Sequence, residues 1–205
     1  MKAYILANGE FPTKKELLDE LINAEFLIVC DGAINHLEEI KKIPNLIIGD
    51  LDSIDKKLKS KYKNKIIHIK EQESNDLSKA FYHCISLGFD EFVILGATGK
   101  REDHTLANIS LLIKYSKKCK NLTMKSDFGE FKVYETPCKV SSFKGQQISI
   151  FCFDKNKRFN SKNLKYPLRD LNLPLLMNGT LNEANSNSFY LSSNKKATIL
   201  IYKAY

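Results

Sequence analysis

Ile47-Ile48-Gly49-Asp50-Leu51-Asp52-Ser53 places two carboxylates two positions apart directly behind an apolar run. A short apolar run stopped by glycine reads as a buried strand, and its end on paired negative charges calls for something to receive them. The same design recurs in "AYIL" (3–6), "FLIVC" (26–30), "IIHI" (66–69) and "EFVIL" (91–95), each followed by a segment with helix signals. Strands alternating with helices give a parallel α/β sheet, and near-continuous apolar strands mean that helices cover both faces. Thr13-Lys14-Lys15-Glu16 has the form of a capping box and is expected to open the first helix. After Cys119 the helical period is lost. "NLTMKS", "FKVYE", "QQISIFCF", "SFYLS" and "KATILIY" read as strands separated by Gly, Asn, Ser and Pro. The spacing predicts an α/β domain over residues 1–127 and an all-β domain over 128–205.

Composition narrows the function classes. A chain of 205 residues that is 43% hydrophobic can bury a proper core. The opening "MKAYILANGEFP" breaks its apolar run at Asn8, Gly9 and Glu10, too soon for a secretion signal, and no stretch approaches a membrane span. Five scattered cysteines without a CxxC pair suggest neither a disulfide framework nor a zinc site, so a reducing cytoplasm is the expected compartment. The net charge of +8 is unevenly spread: residues 1–50 hold nine acids against five lysines, residues 151–205 three acids against nine bases. Lysines in "KKLKSKYKNK" (56–65) are interleaved with polar residues, the pattern of a solvated face, and no nucleic-acid partner is expected.

Open α/β sheets bind ligands at the carboxyl ends of their strands, and four segments stand there: Cys30-Asp31-Gly32-Ala33, Gly49-Asp50-Leu51-Asp52-Ser53, Glu73-Ser74-Asn75-Asp76 and Gly96 through His104. Extended geometry would turn Asp50 and Asp52 to one side and Leu51 to the other. Two such carboxylates suit Mg²⁺, which takes a few protein oxygens and completes its shell with water and phosphate. The rival reading makes Asp52 or Ser53 the N-cap of the next helix. Asp31 and Asp76, at parallel positions, weigh toward metal. "GATGKREDHTLAN" (96–108) supplies glycines, two cations and a helix start, an anion site that matches neither the Walker A loop nor the dinucleotide fingerprint. Arg101 can fork onto phosphate, and Asp103 can orient that fork or contact metal. His104 suits a structural hydrogen bond better than a catalytic base. His36, His68 and His83 lack ligand spacing, and the serines lack a nucleophile elbow.

Asp31-Gly32-Ala33, Gly49-Asp50-Leu51-Asp52-Ser53-Ile54, Asn75-Asp76 with Lys79-Ala80, and Gly96-Ala97-Thr98-Gly99 with Arg101, Asp103-His104, Leu106 and Asn108 resemble the motifs of the thiamine pyrophosphokinases, in the family's order. "NLKYPL" and Gly179-Thr180-Leu181-Asn182-Glu183 are similar to its late signatures, so the resemblance covers nearly the whole chain. It implies a Rossmann-like α/β domain that binds ATP and Mg²⁺, a C-terminal β-sandwich that binds thiamine, and a homodimer with active sites between subunits. The implied reaction moves the terminal pyrophosphoryl group of ATP to the thiamine hydroxyl, giving thiamine diphosphate and AMP. By position, Asp50, Asp52 and Asp76 match the family's Mg²⁺ cluster with Asp31 close by. Gly96, Thr98, Gly99, Lys100, Arg101, Asp103, His104 and Asn108 match its nucleotide segment, and Leu181, Asn182 and Glu183 its thiamine segment. Asp31 or Asp76 would accept the alcohol proton.

The chain departs from the family at Lys100, where a glycine is usual, at Asn75 in place of Thr, at Leu181 in place of Ser, and in having no Trp to stack on thiamine. A haloacid-dehalogenase-type phosphohydrolase also uses Asp-x-Asp behind a strand, but behind the first strand rather than the third. A non-catalytic nucleotide- or RNA-binding protein is the other alternative.

Overall fold

The computed structural model describes residues 1–71 and 73–205, which divide into two units, Met1–Asp127 and Phe128–Tyr205. In the first, β1 (Lys2–Leu6), β2 (Leu27–Cys30), β3 (Leu46–Gly49), β4 (Ile66–His68), β5 (Glu91–Leu95) and β6 (Asn121–Ser126) stand in the order β6-β5-β1-β2-β3-β4. Every neighbouring pair is parallel, with Ile5 opposite both Ile28 and Ile94, and Ile47 opposite Val29 and Ile66. All four residues of β2 and the last three of β3 are buried, as strands covered on both faces must be. The stretch "NLTMKS" becomes β6 and pairs in parallel with β5, burying Leu122 and Met124.

The connecting helices are α1 (Lys15–Ile22), α2 (Ile34–Leu37), α3 (Lys56–Lys61), α4 (Asp76–Ser86) and α5 (Glu102–Tyr115). Leu17 and Leu21, four apart on α1, pack with Leu6, Leu27, Val29, Ile47 and Leu95 in one core cluster. The expected capping box does not form. Asp127 takes its place: its carboxylate accepts from the Thr13 and Lys14 amides at 2.9–3.1 Å and from the Thr13 hydroxyl at 2.6 Å. A carboxylate accepts more and stronger bonds than a hydroxyl and suits the positive end of the helix dipole. Helices α4 and α5 are joined by the Phe81 ring stacked on Tyr115, centroids 4.0 Å apart, and by a 2.7 Å bond between the Ser78 and Tyr115 hydroxyls.

The second unit holds β7 (Gly129–Glu135), β8 (Cys138–Ser141), β9 (Gln147–Cys152), β10 (Arg158–Lys162), β11 (Leu171–Asn172), β12 (Asn182–Glu183), β13 (Ser188–Ser193) and β14 (Thr198–Ala204). They pair antiparallel as β12-β9-β14-β7 and as β11-β10-β13-β8. Alternate residues point inward: Ile148, Ile150, Ile199 and Ile201 from the first group meet Val140, Phe159, Phe189 and Leu191 from the second in a single core. Among the described residues no helix is long and apolar enough to cross a membrane.

Candidate active site

Strands β1 to β4 run outward in one direction, and β5 returns to the other side of β1. At such a switch, the loops leaving adjacent strands part and open a crevice at the carboxyl edge. A cleft of about 600 Å³ lies there, within the range of small-molecule sites. It is lined by Asn8 and Gly9 beyond β1, Asp31 beyond β2, Asp50 and Asp52 beyond β3, Asn75 and Asp76 at the start of α4, and Ala97 and Gly99 through Arg101 before α5.

Asp31, Asp50 and Asp76 each bring a carboxylate oxygen within 4.8 Å of the others. Asp31 starts a 3-10 turn at φ 34° and is 5% exposed; its Oδ2 accepts from the Ser53 amide at 3.2 Å, and its Oδ1 is buried with no hydrogen-bond partner. Gly49 permits the approach, since a Cβ there would stand 2.9 Å from the Asp31 Cβ and 3.2 Å from Asp76 Oδ2. Burial pushes the Asp76 carboxyl above its ordinary range; Lys79 opposes that shift, and the neighbouring Asp31 and Asp50 add to it. An orphaned buried oxygen among three crowded carboxylates is a donor set that fits a hard divalent cation such as Mg²⁺.

Asp52 is not the third member of this group. The alternation that would have aligned it with Asp50 requires extended backbone, and Leu51 instead adopts φ 71° with its side chain buried. Asp52 lines the cleft beside the trio, and its amide donates to Asp50 Oδ1 at 3.2 Å. Nor do Asp52 or Ser53 cap a helix, because α3 begins at Lys56 with Asp55 at its N-cap. Lys79, part of the Asn75-Asp76 motif in sequence, lines the cleft as well. Its side chain is 4% exposed and its Nζ lies 3.1 Å from Asp76 Oδ1. The signal of that burial is a lysine within the apolar stripe of Leu77, Ala80, Phe81 and Cys84, three positions after Asp76.

The opposite wall is built on backbone. Beyond β1 the chain keeps bonding to the 95–98 loop: the Ala7 amide to Leu95 O at 2.9 Å, Gly9 to Gly96 O at 2.6 Å, and Glu10 to Thr98 O at 2.8 Å. Gly96 and Thr98 therefore hold the loop and border a separate small recess with Phe11 and Asp127, while Gly99, Lys100 and Arg101 face the cleft. The Arg101 guanidinium forks onto Asp103, Nη2 to Oδ2 at 2.6 Å and Nε to Oδ1 at 3.1 Å. That pairing, with the His104 amide also donating to Asp103, holds the Asp103 carboxyl at about 2. Asp103 is thus the orienter of Arg101, leaving Nη1 and one edge of the guanidinium for another anion. His104 lines the cleft.

Asn108, 8% exposed on α5, donates to Ala97 O at 2.8 Å and accepts from Asn75 Nδ2 at 2.9 Å. Asn75 in turn caps α4, its Oδ1 accepting from the Ser78 amide at 3.0 Å. The pair ties the start of the helix that carries Asp76 to the loop that carries Arg101. Asn75→Ala removes the cap and the bond to Asn108 together, and is expected to cost about 1–2 kcal/mol of stability in denaturant unfolding. An unchanged midpoint would show that water replaces both bonds.

Leu181, Asn182 and Glu183 belong to the second unit. Leu181 is exposed at φ 59°; Asn182 is buried and exchanges hydrogen bonds with the Tyr166 backbone at 2.7 and 3.2 Å; Glu183 pairs with Lys165 at 2.9 Å.

Two family models match the chain in sequence. "Thiamin pyrophosphokinase, catalytic domain" spans residues 17–124, and "Thiamin pyrophosphokinase, substrate-binding domain" spans 129–202. The chain belongs to the thiamin pyrophosphokinase family. Thiamin pyrophosphokinase 1 of Caenorhabditis elegans is 34% identical over 121 residues, 54% of this chain and 49% of that protein. Thiamine pyrophosphokinase of Saccharomyces cerevisiae is 36% identical over 99 residues, 42% of this chain and 31% of that protein. The matched part thus spans about half or less of these relatives' length. The solved thiamine pyrophosphokinase of Bacillus subtilis superposes with a TM-score of 0.82 at 21% identity, covering 100% of this chain and 99% of that one. The yeast structure gives 0.83 at 17% identity, covering 100% and 86%. These two establish the likeness of fold.

Proposed function

We propose that the chain is a thiamine diphosphokinase, transferring the pyrophosphoryl group of ATP to the hydroxyl of thiamine and releasing AMP. The observation that supports this most is the Asp31–Asp50–Asp76 group sharing one cleft with the oriented Arg101 in a chain of this family. We read the first unit as the Rossmann-like domain that binds ATP and the second as a β-sandwich that binds thiamine.

Phosphoryl-type transfer asks a protein for positioning and charge neutralisation more than for covalent chemistry. Asp31, Asp50 and Asp76 would hold Mg²⁺, with Asp52 at the rim, and a bound Mg²⁺ supplies the positive charge that lets phosphate oxygens lie against carboxylates. Arg101, fixed by Asp103, presents its free edge to a phosphate oxygen. Asn75 and Asn108 keep the distance between the two walls. By position, Asp31 or Asp76 would accept the proton as the thiamine hydroxyl attacks. The dehalogenase-type alternative needs its nucleophile behind the first strand, where this chain has Ala7-Asn8-Gly9. Thiamine-dependent release of AMP from ATP, followed by chromatography, tests the assignment; phosphate release that ignores thiamine would replace it with a hydrolase.

The family resemblance further supports a homodimer whose sites take Asp50 from one subunit and the Asn182 segment from the other. Mixing equal amounts of folded but inactive Asp50→Asn and Asn182→Ala proteins should then restore roughly a quarter of wild-type activity, because half the dimers are hybrids with one intact site. Hybrids confirmed by mass spectrometry but inactive would place both residues in one subunit's site.

A further inference from the structure

Lys100 occupies a backbone position that favours glycine. At φ 59° its Cβ crowds the following carbonyl, a cost that a β-carbon-free residue escapes. Strained non-glycine residues gather at ligand sites more than elsewhere, and two others at positive φ belong to this cleft's acidic wall, Asp31 within the carboxylate group and Leu51 between Asp50 and Asp52. The lysine side chain gives little structural return: its exposed Nζ reaches Asn8 O at 3.3 Å and Asn8 Oδ1 at 3.5 Å, and no carboxylate. The other lysine and arginine of the cleft each have a carboxylate against their charge, Asp76 for Lys79 and Asp103 for Arg101, although Arg101 keeps one edge free. Asp31, Asp50, Asp52 and Asp76 face the same space, so a polyanion entering it meets four carboxylates. Among the described residues lining the cleft, Lys100 is the fixed cation whose charge no carboxylate answers.

We propose that Lys100 sets the nucleotide preference of this cleft by phosphate number, its ammonium binding the polyphosphate of a nucleoside triphosphate and leaving a monophosphate nearly unaffected. The inference rests on the kinase reading and deepens it: a substrate richer in phosphate is held while the product AMP is let go. Charge-assisted hydrogen bonds at a half-open site are worth about a tenfold change in binding.

The test measures ATP and AMP affinities by calorimetry at fixed Mg²⁺ for the wild type, Lys100→Gly, Lys100→Gln and Lys100→Arg. Expected results are an ATP affinity about tenfold weaker in the Gly and Gln variants, an AMP affinity changed less than twofold, and ATP binding kept in the Arg variant. Lys100→Gly should melt at the same temperature or higher, since it relieves the left-handed strain, so weaker ATP binding could not be blamed on damage to the fold. Equal ATP binding by wild type and Lys100→Gly, or equal losses for ATP and AMP, would overturn the role of Lys100 alone. A wild type that binds no ATP would overturn the reading of the site and this proposal with it.

Discussion

Asp50→Asn is expected to lower turnover on the order of a thousandfold or more while the purified protein melts at the same temperature or slightly higher. Asp50 shares a 4.8 Å group with Asp31 and Asp76, and two or three carboxylates that close repel one another unless a cation lies between them. Asparagine removes one charge but keeps the Oδ1 that accepts from the Asp52 amide, so the loop geometry survives. Loss of function with retained or improved stability is the signature of a site that trades folding energy for charge density. Calorimetric melting beside a steady-state assay separates the outcomes. A sharp fall in melting temperature with activity retained would make Asp50 a structural residue.

Arg101→Lys is expected to reduce kcat/KM for ATP by on the order of one hundredfold. The guanidinium uses Nε and Nη2 on Asp103 and still offers further N–H groups in the same plane. A lysine has no fixed plane, so it either pairs with Asp103 or meets a phosphate, and the orientation is lost. The pair is 61–70% exposed, so its contribution to stability is small, and the variant should unfold like the wild type. Unchanged ATP kinetics would remove Arg101 from the site.

The sequence made the architecture of the first unit readable because its strands are apolar and short and its helices carry clear periodicity. Leu27–Cys30 and Ile47-Ile48-Gly49 are buried as their composition demands, and each run delivers an aspartate to the carboxyl edge of the sheet. The details that escaped depend on single backbone angles or on long-range partners. Leu51 looks like any strand residue, yet its left-handed conformation breaks the two-residue alternation and leaves Asp31, from a different loop, as the third carboxylate. Thr13-Lys14-Lys15-Glu16 matches a local cap by pattern, but Asp127, 114 residues from Thr13, outcompetes it. Lys79 is visible in sequence as part of the Asn75-Asp76 motif, but its burial among the apolar neighbours of α4 is explained only by the position of Asp76 one turn away. Lys100 stands out in sequence as a lysine where the family usually has glycine, but its left-handed φ and the absence of a carboxylate beside it are legible only in the fold.

The central claim, that the cleft moves a pyrophosphoryl group from ATP to thiamine, is tested most directly by phosphorus NMR of one reaction containing the protein, ATP, Mg²⁺ and thiamine. Attack at the β-phosphorus splits ATP into AMP and the transferred pair, so AMP and thiamine diphosphate should grow in together in equal amounts. ADP accumulating with thiamine monophosphate would contradict the account.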